Sequence, residues 1–313
     1  MNWFTDYEAE LRDVFRDAEQ MIGGFPAPLH DRGLAYLYKF HPYKEGSTKN
    51  YICYLLPFWL KELDRVNERT CRDMALAGVF VMLHFFVEDD LMDTAPAEWK
   101  EQLALAHMFQ LEFVTIYNRS FAADSPFWPY YRQYMTEWAS GVAVESGADD
   151  YFLNPVRIAH KASPVKLASA GVLVQAGMEK IVPHVSDAVD RVLITLQMTD
   201  DRADWEEDLL QGGANGLLAY IRREKGLGED VMLDRETILS FLHIQGGLTG
   251  YARMAEERHG RLFDDGETTI RHLSDFHLFL VSGLQREAAE MEQMKNRLLQ
   301  GGFYYWMSKE LTK

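Results

Sequence analysis

Apolar residues recur along most of this chain at the three- and four-residue spacing of an amphipathic helix rather than the two-residue spacing of a strand. From Thr5 to Ile22 the series Tyr7, Leu11, Val14, Phe15, Ala18, Met21 and Ile22 marks one face. Thr5 and Glu8 stand at capping-box spacing, and Gly23-Gly24 closes the segment. The same pattern predicts helices over 48–66, 70–93, 97–121, 127–146, 155–181, 184–210, 214–225, 234–259 and 267–300, with a short tail helix over 303–311. Two stretches, 74–87 and 165–178, are apolar nearly all the way round, which places them inside a bundle. The expected fold is all-α: one domain over 1–313, a bundle of ten or more helices around a deep central pocket whose mouth is a ring of helix ends.

Composition narrows the function classes. The 313 residues, 47% hydrophobic, can bury a large core, and no linker, repeat or low-complexity tract interrupts them. A formal net charge of −16 disfavours nucleic acid and anionic membranes as partners. An anionic small molecule can then be held only through bound cations or locally gathered basic side chains. Cys53 and Cys71 show neither metal spacing nor a disulfide framework, and Met1 to Glu10 is acidic without an apolar signal core. The longest apolar stretch, Met74 to Val87, contains His84 and is shorter than a bilayer span. A cytoplasmic protein without stable membrane insertion is expected.

The candidate chemistry lies at two helix ends. The helix over 70–93 finishes in Phe85-Phe86-Val87-Glu88-Asp89-Asp90-Leu91-Met92-Asp93, with Asp89 and Asp93 one turn apart on one face. Acids at a helix C-terminus oppose the macrodipole unless a cation is present, and a hard divalent ion such as Mg²⁺ suits clustered carboxylates. A further motif reads Gln197-Met198-Thr199-Asp200-Asp201-Arg202-Ala203-Asp204-Trp205-Glu206-Glu207-Asp208, in which Asp200, Asp204 and Asp208 form a stripe with Gln197 close to the same face. One such motif in an acidic protein is usually a solvated helix end. Two, each closing an apolar helix about a hundred residues apart, point to a metal site that could hold several Mg²⁺ ions and a diphosphate.

Asp89-Asp90-Leu91-Met92-Asp93 and Gln197-Met198-Thr199-Asp200-Asp201-Arg202-Ala203-Asp204 together resemble the paired motifs of the class I isoprenoid synthase superfamily, which includes terpene cyclases and trans-prenyl diphosphate synthases. The motif at 197–204 resembles the prenyl synthase form rather than the Asn/Ser/Glu triad of most microbial cyclases. The resemblance implies three Mg²⁺ ions, with Asp89, Asp93, Asp200 and Asp204 as ligands. It implies a catalytic acidic set of Asp89, Asp90, Asp93, Asp200, Asp201 and Asp204, with Gln197 beside the substrate. The substrate so implied is an allylic isoprenoid diphosphate of fifteen or twenty carbons, and homodimers are common in the superfamily.

Chain-elongating members carry a Gly-Lys-x-x-Arg segment upstream and paired arginines after the first motif, both for isopentenyl diphosphate. Here Gly46-Ser47-Thr48-Lys49-Asn50-Tyr51-Ile52 retains only Lys49, and Asp93 to Lys100 has no arginine. A poorly neutralised second diphosphate favours a one-substrate terpene synthase over a prenyltransferase, while the aspartate-rich motif at 197–208 points the other way. A non-catalytic subunit of the same fold is a further alternative. Lys166 and Lys161 are the first-ranked diphosphate ligands, followed by Arg202 within the 197–208 motif and by Arg222, Arg223 and Lys225. Phe85 and Phe86 stand a turn below Asp89 as candidate pocket walls, with Met82, Val81, Trp59, Trp138, Tyr220 and the tail Phe303-Tyr304-Tyr305-Trp306 as others.

Overall fold

The structure, a computed structural model, describes residues 2–94, 96–143, 151–228, 231–261 and 270–299. Those residues contain fourteen α-helices and three short 3₁₀ turns, with no strand among them. The chain divides into two compact units. The first comprises Met1–Ser140, Ala162–Val189 and Ile270–Leu273, and the second Gly141–Lys161, Asp190–Thr269 and Ser274–Lys313.

The first unit is organised on α5 (Glu68–Thr94), which buries Cys71, Met74, Ala75, Ala77 and the run from Gly78 to His84. By length and composition α5 could cross a membrane, its most apolar 18-residue window having a mean hydropathy of 1.5, but 67% of that window is buried in the protein, as in a core helix. Against it pack α2 (Glu8–Gly23), α4 (Tyr51–Trp59), α6 (Trp99–Ser120) and α9 (Lys166–Gln175). In α4 Pro57 has no N–H to offer the Cys53 carbonyl one turn back. Gly78 passes over that same carbonyl, and any Cβ at position 78 would collide with it. The missing donor and the missing side chain thus let two helix backbones meet. The charged face of α2 is tied down by Arg72, whose guanidinium lies 2.6 Å from Asp17 and 3.4 Å from Asp13.

The predicted helices hold in part. Helix α3 (Leu29–Phe40) was not expected; Pro26, Pro28 and Gly33 obscure its pattern, although Pro28 stands just outside it and Gly33 is buried. The Thr5–Glu8 capping box does not form, because α1 (Asn2–Thr5) ends at Thr5 and α2 starts after Tyr7. The single helix expected over 155–181 is broken into α8 (Val156–His160), a 3₁₀ turn containing Pro164, α9, and another 3₁₀ turn at Glu179–Ile181. The remaining helices are α7 (Phe127–Ala143), α10 (Val182–Gln211), α11 (Gly216–Glu224), α12 (Arg235–His243), α13 (Gly247–Gly260) and α14 (Arg271–Arg297). Helices α12 and α13 replace the one expected over 234–259, separated at Gly246, whose φ of 71° is left-handed. The helix proposed over 303–311 lies outside the described residues.

The second unit has its own core. Met198 and Trp205 of α10, Leu217 and Ile221 of α11, Phe241 of α12, Leu248 and Tyr251 of α13, and Leu284 of α14 form one buried cluster.

Candidate functional site

The first acidic motif occupies the last turn of α5, where Asp89, Asp90 and Asp93 are exposed. The middle acid is held: the Tyr36 hydroxyl of α3 donates to Asp90 Oδ2 at 2.9 Å. Burial, then the charge of Asp90, raises the Tyr36 hydroxyl well above its ordinary pKa, so it remains a donor. One turn earlier His84 Nδ1 lies 2.9 Å from the Ala106 carbonyl, so it carries the proton and Nε2 presents its lone pair 3.4 Å from Glu88. Burial lowers His84 and raises Glu88, which favours the uncharged form of each.

The two phenylalanines diverge. The Phe85 ring centroid is 4.7 Å from that of Trp138 on α7, and Phe86 is 4.9 Å from Phe40 on α3. Phe85 with Trp138 therefore makes an aromatic wall within the first unit, and Phe86 packs toward the Tyr36 helix.

The basic residues divide too. Lys166 is only 1% exposed, and its ammonium lies 2.7 Å from Glu137 and over the Tyr134 ring. Ser163 Oγ and Gln133 Nε2 also donate to Glu137, each at 2.8 Å, and these hydrogen bonds hold its carboxyl below the usual range against the effect of burial. Lys166 is thus buried in an ion pair with the half-buried Glu137, a placement its sequence context did not reveal. Lys49 donates to the carbonyls of Lys44 and Ser47 at 3.0 and 2.9 Å, tying its own loop.

The second motif, on the part of α10 that belongs to the second unit, splits into two roles. Asp201 is 2% exposed; it accepts from Gln197 Nε2 and from the Gly216 backbone N–H, both at 2.9 Å. Asn215, the N-cap of α11, accepts from the backbone N–H groups of Leu217 and Leu218 and donates to the Asp201 carbonyl and to Asp208 Oδ2. Asp201 and Asp208 therefore anchor the start of α11, where the helix dipole favours negative charge. Asp200 and Asp204, one turn apart, remain exposed. The Asp200 carboxyl is pushed up to about 6, by desolvation first and by Asp201 and Asp204 next. Asp201 also rises to about 6, because its burial outweighs the two hydrogen bonds. Arg202 faces Glu287 at 3.3 Å, Lys161 is exposed, and Arg223 covers the Phe152 ring at 4.4 Å.

Among the described residues no three His, Cys, Asp or Glu side chains converge as a metal-binding group. What the motifs offer is paired hard carboxylates one turn apart, Asp89 with Asp93 and Asp200 with Asp204. Mg²⁺ ordinarily takes one or two carboxylates and completes its shell with water and substrate phosphate, so the donor chemistry fits an ion that arrives with its substrate.

Tyr36 was missed because its helix was missed. Asn215 carried a readable signal, an Asn directly before the apolar run Gly216 to Ile221. No protein-family model matches the chain and no curated protein matches it significantly, so its function is read from these residues and their geometry.

Proposed function

We propose that this protein is a Mg²⁺-dependent class I terpene synthase that ionises an allylic isoprenoid diphosphate of fifteen or twenty carbons and releases a terpene hydrocarbon or alcohol. The observation that carries the reading is the division within the second motif. Two of its aspartates, Asp201 and Asp208, are used up in capping α11, which fixes the helix end. The other two, Asp200 and Asp204, are left exposed with carboxyls held above their ordinary range. A structural acidic helix end would neutralise such a pair with a neighbouring Lys or Arg; a cation-binding one leaves it in place.

Asp89, Asp93, Asp200 and Asp204 are the carboxylates that would hold Mg²⁺. The chemistry the ion supplies when bound is neutralisation of the departing diphosphate. Tyr36 fixes Asp90, and with it the last turn of α5. Phe85 and Trp138 present ring surfaces one turn below Asp89, suited to an apolar chain and to the positive charge left when the C–O bond breaks.

A prenyltransferase is the alternative reading, favoured by the aspartates at 200 and 204. Lys49 weakens it, since the one basic residue retained for a second diphosphate is engaged with its own loop. The deciding experiment supplies ten-, fifteen- and twenty-carbon allylic diphosphates with Mg²⁺, with and without isopentenyl diphosphate, and analyses extracts by mass spectrometry. Hydrocarbon or alcohol formed without isopentenyl diphosphate is the expected result. Longer diphosphates formed only in its presence would make the protein a prenyltransferase, and no product from any substrate would leave a non-catalytic subunit.

A further inference from the structure

We propose that a cavity at the far end of α5 from its acidic motif binds a small phosphate monoester, an inference that does not depend on the function proposed above. The cavity holds about 360 Å³, the size of a small-molecule pocket, and its lining lies wholly within the first unit. Three helices build it: the first turns of α5, the last turns of α6 and the end of α9. Side chains tie all three together, since Thr70 Oγ1 donates to Gln175 Oε1 at 2.7 Å and Gln175 Nε2 donates to the Ser120 carbonyl at 3.2 Å. From Thr70 to Asp89 the helix climbs about 28 Å at 1.5 Å per residue, so the cavity is separate from the carboxylates proposed to hold Mg²⁺.

The charge balance at this cavity is the reverse of the chain's. Arg69 and Arg119 line it against one carboxylate, Asp73, in a protein of 48 acidic and 32 basic residues. Among the described residues no carboxylate lies within ion-pair distance of Arg119; burial raises the Glu112 carboxyl two turns back, and the Arg119 charge offsets only part of that rise. Arg69 meets Asp73 at 3.9 Å with its own side chain 90% exposed, and such a pair holds it weakly. Asn67 caps α5, its Oδ1 accepting from the Arg69 N–H at 2.8 Å, and the positive end of the helix dipole adds to the two guanidiniums. Two forked cations suit a phosphate dianion, where a carboxylate would occupy only one of them. Leu76 and Ile116 in the same lining offer apolar surface to the body of the ester.

The test is calorimetric titration of phenyl phosphate, and of benzoate as the matching carboxylate, into the full chain with chelator present, so that no metal-dependent diphosphate site competes. Wild-type protein should bind phenyl phosphate saturably with a Kd of about 1 mM or tighter, and benzoate at least about tenfold more weakly. Arg69→Gln and Arg119→Gln should each weaken phenyl phosphate by about tenfold, with unfolding curves to show that each variant folds. Asp73→Asn removes the opposing charge and should tighten binding severalfold, a change that a merely structural role would not produce. Asp89→Ala should bind as wild type does. No saturable binding by wild type at about ten times that concentration overturns the inference, as does unchanged affinity in a folded Arg69→Gln/Arg119→Gln or loss of binding in Asp89→Ala. Benzoate bound as tightly as phenyl phosphate overturns the choice of phosphate. If the arginine variants do not fold, Asp73→Asn decides: tighter binding supports the site, and unchanged affinity overturns it.

Discussion

Asn215 Nδ2 lies 2.7 Å from Asp208 Oδ2 and 2.8 Å from the Asp201 carbonyl, so a single side-chain amide ties two turns of the second acidic motif to the first turn of the next helix. Four aspartates of one sequence motif are thereby sorted into two that hold the backbone and two that face solvent.

That sorting predicts opposite mutational phenotypes. Asp201→Ala removes the acceptor of the Gly216 N–H and leaves Gln197 unpaired, and should lower unfolding free energy by about 1–3 kcal/mol. Asp204→Ala should leave stability within about 0.5 kcal/mol of wild type while abolishing Mg²⁺-dependent turnover. Denaturant titration with an activity assay reads both.

Lys166 is buried against the half-buried Glu137, so replacing the lysine leaves that carboxylate without its counter-charge, held only by Ser163 and Gln133. Lys166→Met should cost about 3–5 kcal/mol, and the double replacement Lys166→Met/Glu137→Leu should recover much of it. A Lys166→Met variant of wild-type stability that had lost only diphosphate binding would restore the ligand role suggested by its sequence context.

The close approach of α4 and α5 makes position 78 intolerant of a side chain. Gly78→Ala places a methyl group against the Cys53 carbonyl and should destabilise by about 1–3 kcal/mol, measurable as a lowered Tm, whereas Gly23→Ala, with open space around it, should be nearly neutral.

His277 sets an acid limit. Fully buried, with Nε2 2.7 Å from Thr195 Oγ1, it is pushed down to about 3 by burial first and by His259 and Arg258 next. Between the ordinary histidine value of 6.5 and about 3 the unfolded chain holds a proton on this ring that the folded one does not. Its contribution to stability is therefore present above 6.5 and is lost as pH falls toward 3. His277→Gln should flatten the fall in unfolding free energy across that window; a slope equal to that of wild type would assign the acid sensitivity elsewhere.

The helical fold and both acidic motifs were legible because period and composition speak directly to them: the apolar faces of α2 and α5 recur at helical spacing, and Asp89 to Asp93 closes one such run. Breaks were less legible. Pro164 and Gly246 interrupt segments whose apolar period continues across them, so the pattern alone reads one helix where there are several. Partners distant in sequence were not legible at all. Nothing near Lys166 announces Glu137, 29 residues away, and nothing near Asp90 announces Tyr36, 54 residues away. The fate of a charge depends on which carboxylate the fold brings to it, as the contrast between Lys166, paired with Glu137, and Arg119, which meets no carboxylate among the described residues, illustrates.

The central claim is Mg²⁺-dependent cleavage of an allylic diphosphate, and release of inorganic diphosphate measures it most directly. Wild-type protein given a fifteen- or twenty-carbon allylic diphosphate should release inorganic diphosphate with Mg²⁺ and not with chelator, and Asp89→Ala and Asp200→Ala should each reduce the rate by orders of magnitude while folding normally. Absence of release from any allylic diphosphate, or release unchanged in both variants, would contradict the account.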